Sequence, residues 1–424
     1  MSAGTRGAVQ DSTYDRMKWA NAISRRPSLE AAVSEVIEQA EQALKVPADL
    51  ALVFISSAFA SDYPRLMPLL REKLAVPHLL GCGGGGVIGM SQGQAEEVEG
   101  EPALSLSLAY LPGVQIRTFH VSTEVLPDLD SPPNAWTDLI GVPQSENPHF
   151  ILLADPFSFK VNDLIQGLDF AYPAAVKIGG LSSTGALGGS NGLFCDYRFY
   201  REGTVGVALS GDIILEAIVA QGCRPIGDPY RVTAGEQNVM LELEEQDAGA
   251  GGSKTRTPLE VLQKLIQGLS EEERSLAQHS LFIGVARNEF KQQLEPGDFL
   301  IRNLLGVDPR VGAIAIGDRV RPGQRIQFHL RDAKASADDL ETLLKRYRDQ
   351  AQSGKSGAVG ALMFSCLGRG EGLYGEPNFD SRLFNHYLGS LPLSGFFCNG
   401  EIGPIGDSTF LHGYTSVFGI CRQP

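Results

Sequence analysis

Short apolar runs alternate with amphipathic segments along most of the chain, and one order of patterns occurs three times. The run ALVFISS at 51–57 predicts a strand, residues 64–75 predict a helix, and a second apolar segment ends in the glycine turn GCGGGGVIG at 81–89. The order strand, helix, strand, glycine turn returns between 150 and 189, and again between 360 and 406. The pattern therefore predicts an internally repeated unit.

Each predicted unit continues into β-rich sequence: ALSLSLAYL at 103–111, TVGVALSG at 204–211 and HGYTSVFGI at 412–420. We therefore predict an α/β protein, more narrowly α+β with mixed sheets, whose two domains are built from repeated β-α-β-β units. Chance patterning is the alternative, because short α/β units resemble one another for purely physical reasons.

Residues 211–222, GDIILEAIVAQG, predict a helix that Gly222 caps, and the following RPIGDPYRV predicts an extended segment. We place the domain boundary here. The predicted divisions are a disordered N-terminus at 1–16, a first domain at 17–223 and a second domain at 224–424.

Within the second domain, DAGAGGSK at 247–254 predicts a flexible loop, and Thr257 with Pro258 predicts the start of a helix. Four short strands are expected around 281–286, 299–305, 311–316 and 324–330. Ser336 and Asp339 have the spacing of a capping box, which predicts a helix from there to about residue 352.

The composition of the chain argues against several classes of function. The chain has 424 residues, 43% of them hydrophobic and 20% charged, which is enough for a large core. The net charge of -14 argues against nucleic acid as a partner, and no apolar run is long enough to span a membrane. Six cysteines without a CxxC pair, and seven scattered histidines, predict no disulfide framework, no metal site and a cytoplasmic location.

Glycine turns at strand ends are the candidate binding sites, because glycine lets a ligand approach the backbone. Four qualify: 81–89, 179–189, 365–375 and 397–406. Two contain a formal GxGxxG, but we expect no helix directly after the glycines, so we predict no dinucleotide and no other cofactor.

The segment SCLGRGEG is typical of an anion-binding loop, with an arginine between two glycines. The alternative is that Cys366 is a small buried hydrophobe and that Arg369 pairs with Glu371 or Asp380 at the surface. The segment FCNGEIGPIG offers acceptors and an amide, although Asn also favours turns without any ligand. The predicted ligand-binding residues are Cys366, Gly368, Arg369, Gly370, Phe397, Asn399, Gly400, Glu401, Cys82 and Gly83.

An enzyme remains an alternative. Cys366 or Cys398 could act as a nucleophile with His386 or His412 as the base, in a hydrolase or transferase. No local signature supports this pairing, so we predict no catalytic residue and place binding first. A scaffold that assembles other proteins is a third possibility.

Several segments in order resemble the FIST family of sensory proteins, with its N-terminal and C-terminal domains: GCGGGGVIG, GDIILEAIVAQGCRPIG, IRNLLGVDPRVGAIAIGDRVRPGQRIQFHLRD, SCLGRGEGLYG and GFFCNGEIGPIGDSTFLHGYTSVFGI. The resemblance runs from about Trp19 to the end. It implies a sensory module that binds small ligands such as amino acids, with no established catalytic residues.

These expectations combine into one hypothesis. The ligand is a small polar molecule carrying a carboxylate, bound by Arg369 and the amides of 367–372, with Asn399 and Glu401 at its amino or polar end. No kinase, cyclase or F-box segment is recognisable in the chain, so we expect the signal to pass to an unknown protein partner.

Overall fold

The computed structural model of the protein describes residues 16–158, 160–183, 191–245, 255–288, 291, 293–294, 296–351 and 357–424. Several predictions lie partly or wholly outside these residues: the disordered N-terminus except for Arg16, the end of the second glycine turn, the loop at 247–254 and the helix end at 352.

The first-half strands are β1 (Lys18–Ser24), β2 (Leu50–Ser56), β3 (His78–Gly84), β4 (Gly86–Ser91), β5 (Gln94–Glu99), β6 (Leu104–Tyr110), β7 (Val114–Val121), β8 (His149–Ala154), β9 (Lys177–Leu181), β10 (Leu193–Cys195), β11 (Arg198–Tyr200), β12 (Thr204–Gly211) and β13 (Ile214–Ala220). The second-half strands are β14 (Cys223–Glu236), β15 (Val239–Glu245), β16 (Thr255–Arg256), β17 (Leu281–Ala286), β18 (Phe299–Asp308), β19 (Ala313–Ile316), β20 (Arg325–Arg331), β21 (Ala358–Cys366), β22 (Leu393–Cys398), β23 (Glu401–Ile405), β24 (Ser408–His412) and β25 (Ser416–Arg422).

The α-helices are α1 (Leu29–Leu44), α2 (Tyr63–Lys73), α3 (Pro133–Ile140), α4 (Val161–Ala171), α5 (Pro258–Gly268), α6 (Glu271–Ala277), α7 (Ala333–Ala351), α8 (Glu371–Tyr374) and α9 (Phe379–Leu388). Short 3-10 turns occur at Ser57–Asp62, Thr123–Val125, Gln144–Glu146 and Pro296–Asp298.

The strands of the described residues form four sheets. Sheet 1 has the order β1-β6-β2-β3-β10-β11, sheet 2 the order β7-β12-β8-β9-β23-β24, and sheet 3 the order β13-β25-β21-β22-β4-β5. Sheet 4 has the order β14-β20-β17-β18-β19-β15-β16. Parallel pairs such as β2 with β3 lie beside antiparallel ones such as β2 with β6, so the fold class is α+β with mixed sheets, as predicted.

The first three sheets enclose one apolar core, and their outer faces carry helices. Phe54 of sheet 1 stacks on Phe396 of sheet 3 with ring centroids 5.4 Å apart, and Ile178 of sheet 2 belongs to the same core. Helices α1 and α2 cover sheet 1, α3 and α4 cover sheet 2, and α7 and α9 cover sheet 3. Each of these helices buries an apolar face against its sheet.

The repeated β-α-β-β units are not confirmed as self-contained units. The hairpin β4–β5 follows β3 but pairs with β22, β10–β11 follows β9 but pairs with β3, and β23–β24 follows β22 but pairs with β9. This exchange brings the ends of β3, β9 and β22 together. Sheets 2 and 3 also combine strands from both sides of residue 223, so the two-domain division stays a prediction.

Two local predictions are wrong: the helix at 211–222 and the capping box at Ser336 and Asp339. The residues of both predictions contact each other at Gly222. Residues 214–220 form β13 instead of a helix, because they pair in register with β25. Helix α7 begins at Ala333, so Ser336 and Asp339 lie inside it and form no capping box. Instead, the Ser336 hydroxyl donates to the carbonyl of Gly222 at 2.9 Å, and Asp339 Oδ2 accepts from its amide at 3.0 Å.

The predicted helix start at Thr257 and the four predicted strands of the second half are confirmed. Helix α5 begins after Thr257, whose side chain and Glu260 form a capping box. Strands β17, β18, β19 and β20 lie at the four predicted places. Helices α1, α3, α6 and α8 were not predicted, and α8 covers four residues directly after Gly370, inside the second GxGxxG, where no helix was expected.

Candidate functional site

A cavity of about 470 Å³ lies where the ends of β21, β22 and β24 meet sheet 4, and we call it the glycine-turn cavity. Its wall is formed by Ile301, Arg302, Asn303, Gly317, Cys366, Leu367, Gly368, Cys398, Asn399, Gly400, Leu411, His412, Gly413 and Tyr414. Four of the ten predicted residues belong to this wall: Cys366, Gly368, Asn399 and Gly400. The structure thus brings the third and fourth glycine turns together.

The turn after β21 is fixed by its own backbone. The Leu367 amide donates to the Cys398 carbonyl at 3.0 Å, and the Arg369 amide donates to the Cys366 carbonyl at 2.9 Å. Gly368 packs so tightly against Arg331 that a Cβ would lie 2.9 Å from Nη1, and that same nitrogen donates to the Gly368 carbonyl. The wall at this point is therefore backbone, as a glycine turn predicts.

The turn after β22 is tied to sheet 2. The Asn399 amide donates to the Leu181 carbonyl at 3.0 Å, and the Leu181 amide donates to the Gly400 carbonyl at 2.8 Å. Gly400 has φ of +135°, a conformation that favours glycine. The side chain of Asn399 stays exposed, so its amide is free to meet a ligand.

Arg302 supplies the cationic group of the cavity, and the sequence analysis did not single it out. It lies on β18 with its side chain 13% exposed, and Nε donates to Asp318 at 2.6 Å. Nη1 donates to the Leu411 carbonyl at 3.1 Å, whereas Nη2 has no hydrogen-bond partner among the described residues. The available signal was its place in IRNLLGVDPRVGAIAIGDRVRPGQRIQFHLRD, one of the segments that carry the family resemblance.

Arg369 requires a correction. Its side chain is fully buried below the cavity wall, and its guanidinium binds Asp380 with two hydrogen bonds, Nε to Oδ2 at 2.8 Å and Nη2 to Oδ1 at 3.0 Å. Tyr374 accepts a further bond from Nη2. The guanidinium of Arg369 was expected to bind a ligand carboxylate, but it already binds the carboxylate of Asp380. The two side chains lie in the interior instead of at the surface. Gly370, beside Arg369, has φ of +63° and is also buried.

Cys366 lines the wall, and Glu401 lies fully buried behind it. Burial raises the pKa of Cys366 to about 12, and the nearby Glu401 carboxyl adds to the rise. Burial also raises the pKa of Glu401 to about 8, although Oε2 accepts from the Thr415 amide at 3.1 Å. Glu401 does not line the cavity, so its expected contact with a ligand amino group has no support from the geometry.

Three other predicted residues also lie outside the wall. Cys82 and Phe397 are fully buried in the core, and the Phe397 carbonyl accepts from the Ser183 hydroxyl. Gly83 lies under Tyr63, whose hydroxyl would be 2.4 Å from a Cβ at that position. The first glycine turn therefore contacts the cavity wall from its buried side, where Gly85 packs against Leu367.

The two histidines considered as bases differ in placement. His412 lines the cavity, but its Nε2 lies 3.0 Å from the Gly403 carbonyl and burial lowers its pKa to about 4. His386 is exposed on α9 and is not part of the wall.

Within the described part of the chain, no cluster of three or more His, Cys, Asp or Glu could hold a metal ion. Over the same residues, no helix has both the length and the apolarity to cross a membrane.

Comparisons with known proteins show which family the chain belongs to. The FIST N domain matches residues 49–246 and the FIST C domain matches residues 258–404. An uncharacterized protein of Mycobacterium tuberculosis is 34% identical over 396 residues, covering 93% of this chain and 97% of its own. One from Mycobacterium bovis is 33% identical over 395 residues, covering 93% and 96%.

Two further similarities are partial. An F-box/LRR-repeat protein of Arabidopsis thaliana is 30% identical over 115 residues, 24% of this chain and 22% of that protein. The solved structure of cyanuric acid hydrolase from A. caulinodans covers 96% of this chain and 100% of its own, at 10% identity and a TM-score of 0.35, which is too low to support a conclusion. FIST domains are in general sensory domains of signal transduction that bind small ligands. On the two domain matches and the mycobacterial relatives, the chain belongs to the FIST family.

Proposed function

We propose that the protein is a sensor whose ligand, an amino acid or a similar small carboxylate, binds in the glycine-turn cavity. The observation that supports this most is the presence of the Arg302 guanidinium in the same wall as Gly368, Asn399 and Gly400. A guanidinium binds a carboxylate more strongly where water is largely excluded, and a volume of about 470 Å³ suits a small ligand.

In this proposal each wall residue has a distinct role. Arg302 binds the carboxylate through Nη2, while Asp318 and the Leu411 carbonyl hold the guanidinium in place. The exposed amide of Asn399 binds the polar end of the ligand. Gly368 and Gly400 let the ligand approach the backbone, because neither carries a side chain that would fill the cavity.

The cysteine-dependent hydrolase or transferase is the weaker alternative. Such an enzyme needs a thiolate, and burial raises the pKa of both Cys366 and Cys398. His412 is the histidine nearest this chemistry, and its Nε2 is occupied by the Gly403 carbonyl. A partner that receives the signal stays a prediction.

The test is calorimetry and thermal unfolding with the common amino acids and their carboxamides. We expect at least one free acid to bind and its amide not to bind, with stability rising by about 2.7 kcal/mol at 100 times the Kd. Arg302→Gln should weaken binding by about 10- to 100-fold, because a charge-assisted bond is lost. Arg302→Lys should weaken it too, since an ammonium lacks the fork.

The matched control is Arg310→Gln, which removes an exposed arginine from the same hairpin, where its ion-pair partner among the described residues is Asp308. This variant should bind like the wild type. Equal binding of acids and amides, or full binding by Arg302→Gln, would contradict the proposal.

A further inference from the structure

A second and larger cavity lies on the other side of Gln221. It has a volume of about 1180 Å³ and separates α7 from the start of β14 and from the β23–β24 turn. We call it the α7 cleft. The glycine-turn cavity shares no wall residue with it.

Some charged side chains in the wall of the α7 cleft form ion pairs with described residues and others do not. Arg224 is paired with Asp332 at 2.9 Å and with Glu273 at 3.0 Å. Asp338 and Asp339, one turn further along α7, form no ion pair with any described residue. Asp339 accepts one hydrogen bond from the Gly222 amide. Among the described residues, Asp339 is thus a half-buried carboxylate of the cleft wall that lacks a contacting cation.

The nearest internal cation does not fill this role. Arg369 lies behind Gly222, where a Cβ would be 2.9 Å from Nη1, and its fork is bound to Asp380. Burial is the largest influence on Asp339 and raises the pKa of its carboxyl despite Arg369. A carboxylate in this state gains from any cation that contacts it directly.

Two basic residues of the wall, Lys334 and Arg346, are exposed on α7. Their charges are screened by water and salt, so they repel a cationic ligand only weakly. The wall also carries apolar side chains, among them Val219, Leu343 and Ile405, beside the polar Gln221 and Thr342. The cleft therefore places a half-buried carboxylate beside apolar side chains.

We propose that the α7 cleft is a second binding site and that it takes an organic amine with an apolar body. The ammonium group contacts Asp339, and the carbon body packs between Leu343 and Ile405. This site is distinct from the carboxylate site of the glycine-turn cavity and does not depend on it.

The experiment is calorimetry with 2-phenylethylamine, and with 2-phenylethanol and 3-phenylpropionate as neutral and anionic counterparts. We expect the amine to bind at least about 10-fold more tightly than either counterpart. Asp339→Asn should remove this preference, because the amide keeps the acceptor for Gly222 but not the charge. Asp349→Asn, an exposed site at the end of the same helix, is the control and should bind like the wild type.

A second variant covers the case in which Asp339→Asn fails to fold. Thr342→Trp fills the cleft from an exposed helix position and should abolish binding of the amine. Equal affinity for the amine and the alcohol, no binding of the amine, or amine binding that Thr342→Trp leaves intact would each overturn the proposal.

Discussion

At the scale of single residues, burial decides what a charged side chain does. Arg302 and Arg369 are both arginines near a glycine turn, but one lies in a cavity wall and the other is enclosed with Asp380. A buried guanidinium without its carboxylate would leave an uncompensated charge in the interior. Arg369 is therefore a structural residue in this protein.

Asp380→Asn should destabilise the fold by about 3 to 5 kcal/mol, because it leaves Arg369 buried and unpaired. The measurement is the free energy of unfolding in urea. Glu376→Gln breaks the exposed pair with Arg382 on the same helix and should cost about 1 kcal/mol or less. Similar losses in the two variants would show that the Arg369 pair is not a buried one.

Glu401 should make stability depend on pH. Burial raises its pKa from 4.5 to about 8 in the folded state, so its protonated form contributes stability below pH 4.5. That contribution is lost as the pH rises from 4.5 through 8, because the unfolded state ionises first. In Glu401→Gln the loss between pH 5 and pH 8 should be smaller than in the wild type, as measured by urea midpoints. An unchanged slope would contradict this assignment.

At the scale of elements, pairing partners override local pattern. The segment 214–220 has apolar spacing that suits a helix, but it forms β13 because β25 offers a complete antiparallel register. Ser336 and Asp339 have the spacing of a cap, but they bind Gly222 at the end of β13. The hydrogen bonds that Ser336 and Asp339 of α7 form with Gly222 thus join two segments whose local sequence patterns predicted a helix end and a helix start.

Gly222→Ala should destabilise the protein by more than about 1 kcal/mol, because Gly222 has φ of +66° and a Cβ would lie 2.6 Å from Ser336 Oγ. Thermal or urea unfolding measures the change. Gly413→Ala is the matched control, since a Cβ there meets nothing within 4 Å. An equal effect in the two variants would remove the role assigned to the Gly222 contact.

At the scale of the molecule, one side chain joins the two cavities. Gln221 belongs to the α7 cleft, its Nε2 donates to the Phe299 carbonyl at 2.8 Å, and its Oε1 accepts from the Ile301 amide. Ile301 in turn belongs to the glycine-turn cavity. A shift of β18 on binding in one cavity would therefore alter the other.

If both proposed sites bind, the two ligands should change each other's affinity by the same factor, as linkage requires. Calorimetry with each ligand in the presence and absence of the other measures this factor. Gln221→Met should bring it close to one while each ligand still binds alone. Coupling that survives in Gln221→Met would show that another path connects the cavities.

The sequence by itself determined the local elements that rest on local chemistry. The amphipathic faces of α2, α4 and α9, the capping box at Thr257 and the glycine turns depend on residues a few positions apart, so their patterns are legible in the chain. The family resemblance also followed from the order of such segments. Four of the predicted ligand-binding residues, Cys366, Gly368, Asn399 and Gly400, line the glycine-turn cavity, and their role in binding stays a prediction.

Only the tertiary structure decided which strands share a sheet, which cation lines the cavity and which is enclosed with a carboxylate. The three hairpins pair with sheets other than those of the strands before them, and Arg302 reaches the glycine turns from a separate sheet. These outcomes depend on contacts between residues far apart in the chain. Burial raises the pKa of Cys366 and Glu401, whereas Asp380 raises the pKa of Arg369 against the effect of its burial. No pattern of neighbouring residues contains that information, because the free energy of an ionisable group depends on everything that surrounds it in space.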